Sequence, residues 1–136
     1  MKKHNSLRFK ITRKQHASEA AEDYTELVSE LISKQGEART GEIALALGVT
    51  HVTVVRTIRR LVRDGYLSST PHQPIRLTRK GGRLADHCKK RHQIVLQFLL
   101  QIGVPKEVAE VDAEGIEHHI SAITLEKLAH IIHASN

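Results

Sequence analysis

Glu114, Glu117 and His118 stand at positions i, i+3 and i+4, a spacing that on an α-helix turns two carboxylates and an imidazole to one face. Three such groups can hold a cation. Gly115 lies among them, where glycine costs about 1 kcal/mol relative to alanine, so something is expected to approach closely at that turn. Asp23 and Glu26 make a second i, i+3 acid pair nearer the N-terminus, and His92 sits midway along a helix expected to link the two regions. If the three helices meet, their oxygen and nitrogen donors surround one spot. The set has no thiolate or thioether, and hard oxygen donors with a minority of imidazole favour ions such as Mn2+ over soft-ligand metals. Geometry must still select, since Zn2+ and Cu2+ bind such groups more tightly. Carboxylates can bridge, so one or two ions per subunit are open. His119 is turned about 100° from His118 on a helical wheel.

A second group of residues has the chemistry of DNA reading. Thr50 can open a helix whose expected inner positions are Val52, Val55, Ile58, Leu61 and Val62. That leaves Thr50, His51, Thr53, Val54, Arg56, Thr57 and Arg60 facing outward. Short hydroxyls near a helix start can approach base edges and phosphates, Val54 can meet a thymine methyl, and arginines supply bidentate donors or phosphate contacts. Before this helix, Thr40 is expected to cap a shorter one that Gly48 stops, and Thr40 is counted with the DNA-binding residues. Two helices joined by a tight glycine-containing turn are the sequence form of a helix-turn-helix. Two strand-like pieces, 66–70 and 75–77, flank Pro71-His72-Gln73-Pro74 and read as a hairpin, or wing. Arg76 and Arg79 beside it are expected on phosphates, whereas Arg59 and Arg63 are read as solvated. The pattern does not specify which bases are read.

The charge agrees with this division. The formal net charge is +6 and the pI about 9.7, which points to a polyanionic partner. Residues 1–16 carry Lys2, Lys3, Arg8, Lys10, Arg13 and Lys14 with no acid, whereas 106–136 carry six acids against Lys106 and Lys127. One end suits phosphate and the other suits cations.

The elements that must position these groups follow from periodicity and caps. Residues 1–17 show no helical apolar period and are expected to form a flexible basic arm. Ser18 is taken as the cap of a first helix that Gly36 closes. Thr78 can cap a long helix over about 79–101, Pro105 suits the first turn of a short one, Asp112 is placed to cap a further one through Ile120, and Thr124 to cap the last. The expected fold is mainly α: a winged helix-turn-helix DNA-binding domain over 18–78 and an all-helical metal-binding and dimerisation domain over 79–136. A helical region this small has little interior, so burial in a two-fold homodimer is expected.

No apolar run reaches the roughly 18 residues of a membrane span, and the basic N-terminus lacks the apolar stretch of a signal peptide. No membrane association and a cytoplasmic location are expected. Cys88, the single cysteine, has no partner for an internal disulfide and reads as a reduced structural thiol.

Taken together, these residues resemble the diphtheria toxin repressor family, in particular its manganese-responsive branch. The similarity covers roughly 18–133. Its anchors are Glu22-Asp23-Tyr24-Thr25-Glu26-Leu27, Arg91-His92 followed by Gln97-Phe98-Leu99, Ile102-Gly103-Val104, and Glu114-Gly115-Ile116-Glu117-His118-His119-Ile120-Ser121. The resemblance implies that Asp23, Glu26, His92, Glu114, Glu117 and His118 are the metal ligands. It also implies a homodimer that binds double-stranded operator DNA when loaded with Mn2+, repressing manganese uptake genes or adjusting export. In the iron-responsive branch the positions matching Asp23 and Glu114 are sulfur-containing, and here both are carboxylates. The SH3-like third domain of that branch is not expected. Two departures stand out: the basic arm is longer than in the shortest relatives, and Leu96, one turn after His92, cannot supply the carboxylate some relatives have there. Rival readings are a metal-blind winged-helix regulator, an iron sensor of the same family, and a small metallohydrolase. Six protein ligands leave the last little room for substrate, so no enzyme is expected.

Overall fold

A computed structural model describes the backbone of residues 2–134 and the side chains of residues 17–134. The elements in chain order are α1 (Lys2–Gln35), α2 (Thr40–Leu47), α3 (His51–Arg63), β1 (Leu67–Ser68), β2 (Arg76–Leu77), α4 (Arg79–Gln101), α5 (Lys106–Glu117) and α6 (Ala122–Ala134). They form two compact units, Met1–Asp86 and His87–Asn136, and the division falls inside α4.

In the first unit, Thr50 accepts a hydrogen bond from the Thr53 N–H at 3.2 Å and starts α3. Gly48, at φ +67°, ends α2 in the left-handed conformation that closes helices without a Cβ penalty. The two helices meet at 111° across this turn, within the range of a helix-turn-helix. β1 and β2 pair antiparallel, Leu67 opposite Leu77 and Ser68 opposite Arg76. Ile75 extends the wing by donating its N–H to the Ala38 carbonyl at 2.8 Å. The core collects Ala21, Tyr24 and Val28 of α1, Ile43 of α2, Val54, Ile58 and Leu61 of α3, and Leu67 and Ile75 of the wing. The second unit has a smaller core of Val95, Leu99, Ala109 and Ala113.

Four expectations about elements are corrected. Helix α1 begins at Lys2, not Ser18, because no glycine or proline interrupts residues 2–35; the side chains of the expected arm, residues 1–16, lie outside the described ones. Arg39, not Thr40, is the N-cap of α2, and its N–H bonds the Glu42 carboxylate at 3.1 Å. A single α5 starts after Pro105 and runs through Asp112 without a break, since Ala109 and Ala113 continue one buried stripe. Ser121, not Thr124, caps α6: its Oγ accepts from the Thr124 N–H at 3.2 Å. Thr78 caps α4 as expected, accepting from the Gly81 N–H at 3.0 Å.

Candidate metal centre and DNA-reading face

Helix α5 ends at Glu117, with Glu114 in its last turn and His118 as its C-cap. His118 keeps helical torsions, φ −74° and ψ −20°, so the i, i+3, i+4 relation survives the helix end. Two acids at this end are electrostatically misplaced, because helix C-termini carry partial negative charge and favour cations. Opposite them on α4, the His92 Nδ1 stands 3.0 Å from Glu117 Oε2 and 3.5 Å from Glu114 Oε1. His118 Nε2 lies 3.8 Å from Glu117 Oε1.

Burial grades this cluster from floor to mouth. The Glu117 side chain is fully buried and that of His118 is 6% exposed, while those of His92 and Glu114 are 22% and 59% exposed. A carboxylate removed from water needs compensating charge or hydrogen bonds.

Donor atoms of His92, Glu114 and Glu117 all lie within 4.8 Å of one another. Ligand atoms on opposite sides of a single ion with bonds of about 2.0–2.2 Å are about 4.0–4.4 Å apart and adjacent ones are closer, so the group has the dimensions that one ion spans. The donors are carboxylate oxygen and imidazole nitrogen, with no sulfur, and they fit a hard or borderline divalent cation. Among the described residues this is the group with metal-ligand spacing. Asp23 and Glu26 belong to the first unit, half-buried one turn apart on α1. The Cβ of an alanine at Gly115 would meet nothing within 4 Å in its own unit. Among the described residues of the second unit, none makes the close approach expected at Gly115. Around Gly115 runs a groove lined by Val111, Ile116, His119 and Ile120.

The face expected to read DNA takes one correction of register. Val54, expected to face outward, is fully buried with Ile58 and Leu61, whereas Val52, expected inside, is 66% exposed. Positions 54, 58 and 61 fall within an arc of about 60° on a helix, and 52, 56, 59 and 63 within a similar arc on the opposite side. Val54 therefore packs in the core and cannot meet a base. His51, Thr53 and Arg56 are exposed on α3, and Arg76 is exposed on β2. Thr40, Thr57 and Arg60 are half-buried. Thr50 is exposed with its oxygen committed to the cap, and the Thr57 hydroxyl donates to the Thr53 carbonyl at 2.9 Å. Val52, expected inside, and Arg59 and Arg63, expected as solvated, are exposed together on the outer side of α3. Their i, i+7, i+11 spacing could have revealed them.

A helix-turn-helix with a wing, followed by a helical unit bearing a carboxylate–imidazole cluster, defines the class of metal-dependent transcriptional regulators. The family profile described as "Iron dependent repressor, N-terminal DNA binding domain" matches residues 16–74, and "Iron dependent repressor, metal binding and dimerisation domain" matches 78–134. The chain belongs to this iron-dependent repressor family, also called the diphtheria toxin repressor family. Within it, the chain is 44% identical over 118 residues to "Transcriptional regulator MntR" of Salmonella typhimurium, covering 87% of this chain and 75% of that one. It is 36% identical over 111 residues to "HTH-type transcriptional regulator MntR" of Bacillus subtilis, covering 82% and 78%. A solved "Manganese-dependent transcriptional repressor complex with manganese" superposes with a TM-score of 0.75 at 25% identity, over 83% of this chain and 52% of that chain. The chain thus spans about half the length of that solved protein. The family is one of transcriptional regulators, not of enzymes. Among the described residues, no single helix is long and apolar enough to cross a membrane.

Proposed function

We propose that the chain is a Mn2+-responsive transcriptional repressor that binds operator DNA as a homodimer when metal-loaded and controls manganese homeostasis genes. The observation that carries this reading is the convergence of His92, Glu114 and Glu117 within 4.8 Å at the C-terminal end of α5, in a chain that also holds a winged helix-turn-helix. The names of the relatives agree with it. In this reading Asp23, Glu26 and His118 complete the ligand set, with one or two ions per subunit. The chain has no catalytic role, and its place is the compartment that holds the DNA, the cytoplasm.

A bound divalent cation supplies the positive charge around which Asp23, Glu26, Glu114 and Glu117 can sit together. Without it, these carboxylates repel one another. With Asp23 and Glu26 on the DNA-binding unit, closure of the ligand set fixes the recognition helices of a dimer at the spacing of successive major grooves, about 34–36 Å. The coupling is reciprocal, so operator DNA tightens Mn2+ binding by the same factor. Exposed Val111 and Ile116 on α5 and Ile123 on α6 support a homodimer through the second unit.

Operator binding measured against a series of divalent cations at matched free concentrations tests the reading, with Glu114→Ala alongside. Mn2+ should give the largest response, and the variant should lose it while keeping its helical circular dichroism. Undiminished Mn2+-dependent gel shifts in Glu114→Ala would remove the site, and a stronger response to Fe2+ would reassign the metal.

A further inference from the structure

Three consecutive carbonyls beyond the recognition helix accept hydrogen bonds from the start of α4. Lys80 Nζ donates to the Asp64 carbonyl at 2.9 Å, the Thr78 hydroxyl reaches those of Gly65 and Tyr66 at 2.6 and 3.0 Å, and the Thr78 N–H reaches Tyr66 again at 3.1 Å. The same Thr78 oxygen accepts the Gly81 N–H at 3.0 Å, and the Lys80 ammonium lies 4.2 Å from the centroid of the Tyr66 ring. The backbones are in such close approach that a Cβ at Gly81 would fall 2.0 Å from the Tyr66 carbonyl oxygen. All of these contacts lie within the first unit.

A fastening this dense exceeds what capping one helix requires. An N-cap side chain needs only to accept from one N–H of the first turn. Here Thr78 also holds the chain reversal that follows α3, with Lys80 holding its first carbonyl, so the end of α3 and the first turn of α4 are joined with little slack. Helix α4 continues for 23 residues, Arg79–Gln101, and carries His92.

We infer that Thr78 is a positioning residue that ties α4 to the end of the recognition helix and so carries the effect of ligand closure at His92 to the DNA-reading face. The inference rests on the proposed metal response. An element transmits coupling only where both sites bias its arrangement, and a loosened junction would leave α3 coupled to the ion through α1 alone.

The test uses full-length protein and an operator fragment enriched from random-sequence duplex DNA by the Mn2+-loaded unsubstituted chain. Operator affinity is measured in saturating Mn2+ and in chelator, and the ratio is compared for Thr78→Val, Thr78→Ser and Lys80→Met. Removal of the hydroxyl should lower the ratio about tenfold, Thr78→Ser should restore it, and Lys80→Met should lower it about threefold, within the roughly 2- to 30-fold range expected for residues along a coupling network. Mn2+ titration without DNA should be unchanged in all three. An unchanged ratio in Thr78→Val and Lys80→Met, or equal loss of affinity with and without Mn2+, would overturn the inference and leave the metal response standing. A ratio of one in the unsubstituted protein would overturn the metal response itself, and this inference with it. Should Thr78→Val fail to fold by circular dichroism, Lys80→Met, which leaves the cap intact, decides.

Discussion

His92 Nδ1 lies 3.0 Å from Glu117 Oε2 and links the middle of α4 to the last residue of α5. The imidazole is partly exposed and the carboxylate fully buried, so Glu117 forms the floor of the cluster whose mouth is Glu114. Substituting Glu117 keeps the shape of the floor only if the replacement is isosteric. Glu117→Gln should abolish the Mn2+-dependent rise in melting temperature. In the unsubstituted chain, Mn2+ at a hundredfold excess over its Kd should add about 2.7 kcal/mol, or several degrees for a domain of this size. Thermal melts with and without Mn2+ read this directly, and an equal rise in the variant would exclude Glu117 as a ligand.

Val54 and Val52 should separate folding from recognition. Val54→Ala leaves a cavity among Ile58, Leu61 and Ile43 of the same core and should cost about 2 kcal/mol of stability. Val52→Ala removes exposed surface and should change stability by less than about 0.5 kcal/mol, while weakening operator binding about tenfold through a lost apolar contact. Denaturant unfolding and operator titration on both variants check the pair. Operator binding in Val52→Ala equal to that of the unsubstituted chain would return the outer side of α3 to a merely solvated surface.

Arg59, exposed on the same side as Val52 and Arg56, should contact a phosphate. Each neutralised phosphate adds about 0.9 to the slope of log K against log salt, so Arg59→Ala should lower that slope by about one unit and weaken binding to all sequences alike. Fluorescence anisotropy over a salt series decides. An unchanged slope would show that Arg59 stays solvated in the complex.

Gly115→Ala gains about 1 kcal/mol of helix propensity, and among the described residues of the second unit the added Cβ meets nothing within 4 Å. If a second copy fills the groove beside it, the added methyl should weaken dimerisation severalfold even as the helix becomes more favourable. Sedimentation equilibrium tests this. Undisturbed dimerisation would place the two-fold contact elsewhere on the second unit.

The parts of the fold governed by local chemistry were legible in the sequence. Thr50 and Thr78 cap their helices, Gly48 ends α2, and Pro71 to Pro74 separate the two strands of the wing, because each of these effects is decided within a few residues. The clustering of the candidate ligands on α5 was legible for the same reason, since i, i+3, i+4 spacing fixes a common face. What was lost depended on tertiary context. Val52, Val54 and Val55 are all apolar, so two faces of α3 were available; stepping by threes through 52, 55 and 58 drifts about 60° per step on a helix, whereas 54, 58 and 61 follow the true period into the core. The depth of Glu117 had no local signature, because it arises from how α4 and α5 pack. Asp112 looked like a cap by residue type, but the Ala109–Ala113 stripe carries α5 straight past it.

Among the described residues, the core cluster of the second unit is Val95, Leu99, Ala109 and Ala113, with Cys88 also buried, while Val111, Ile116, Ile123 and Ile131 are left uncovered. So few enclosed side chains cannot sustain much cooperativity alone, so folding of this half is expected to be coupled to the association of two copies. Its melting midpoint should slide downward on dilution. In a cell, then, the copy number of the chain would set how much of it is folded well enough to sense anything.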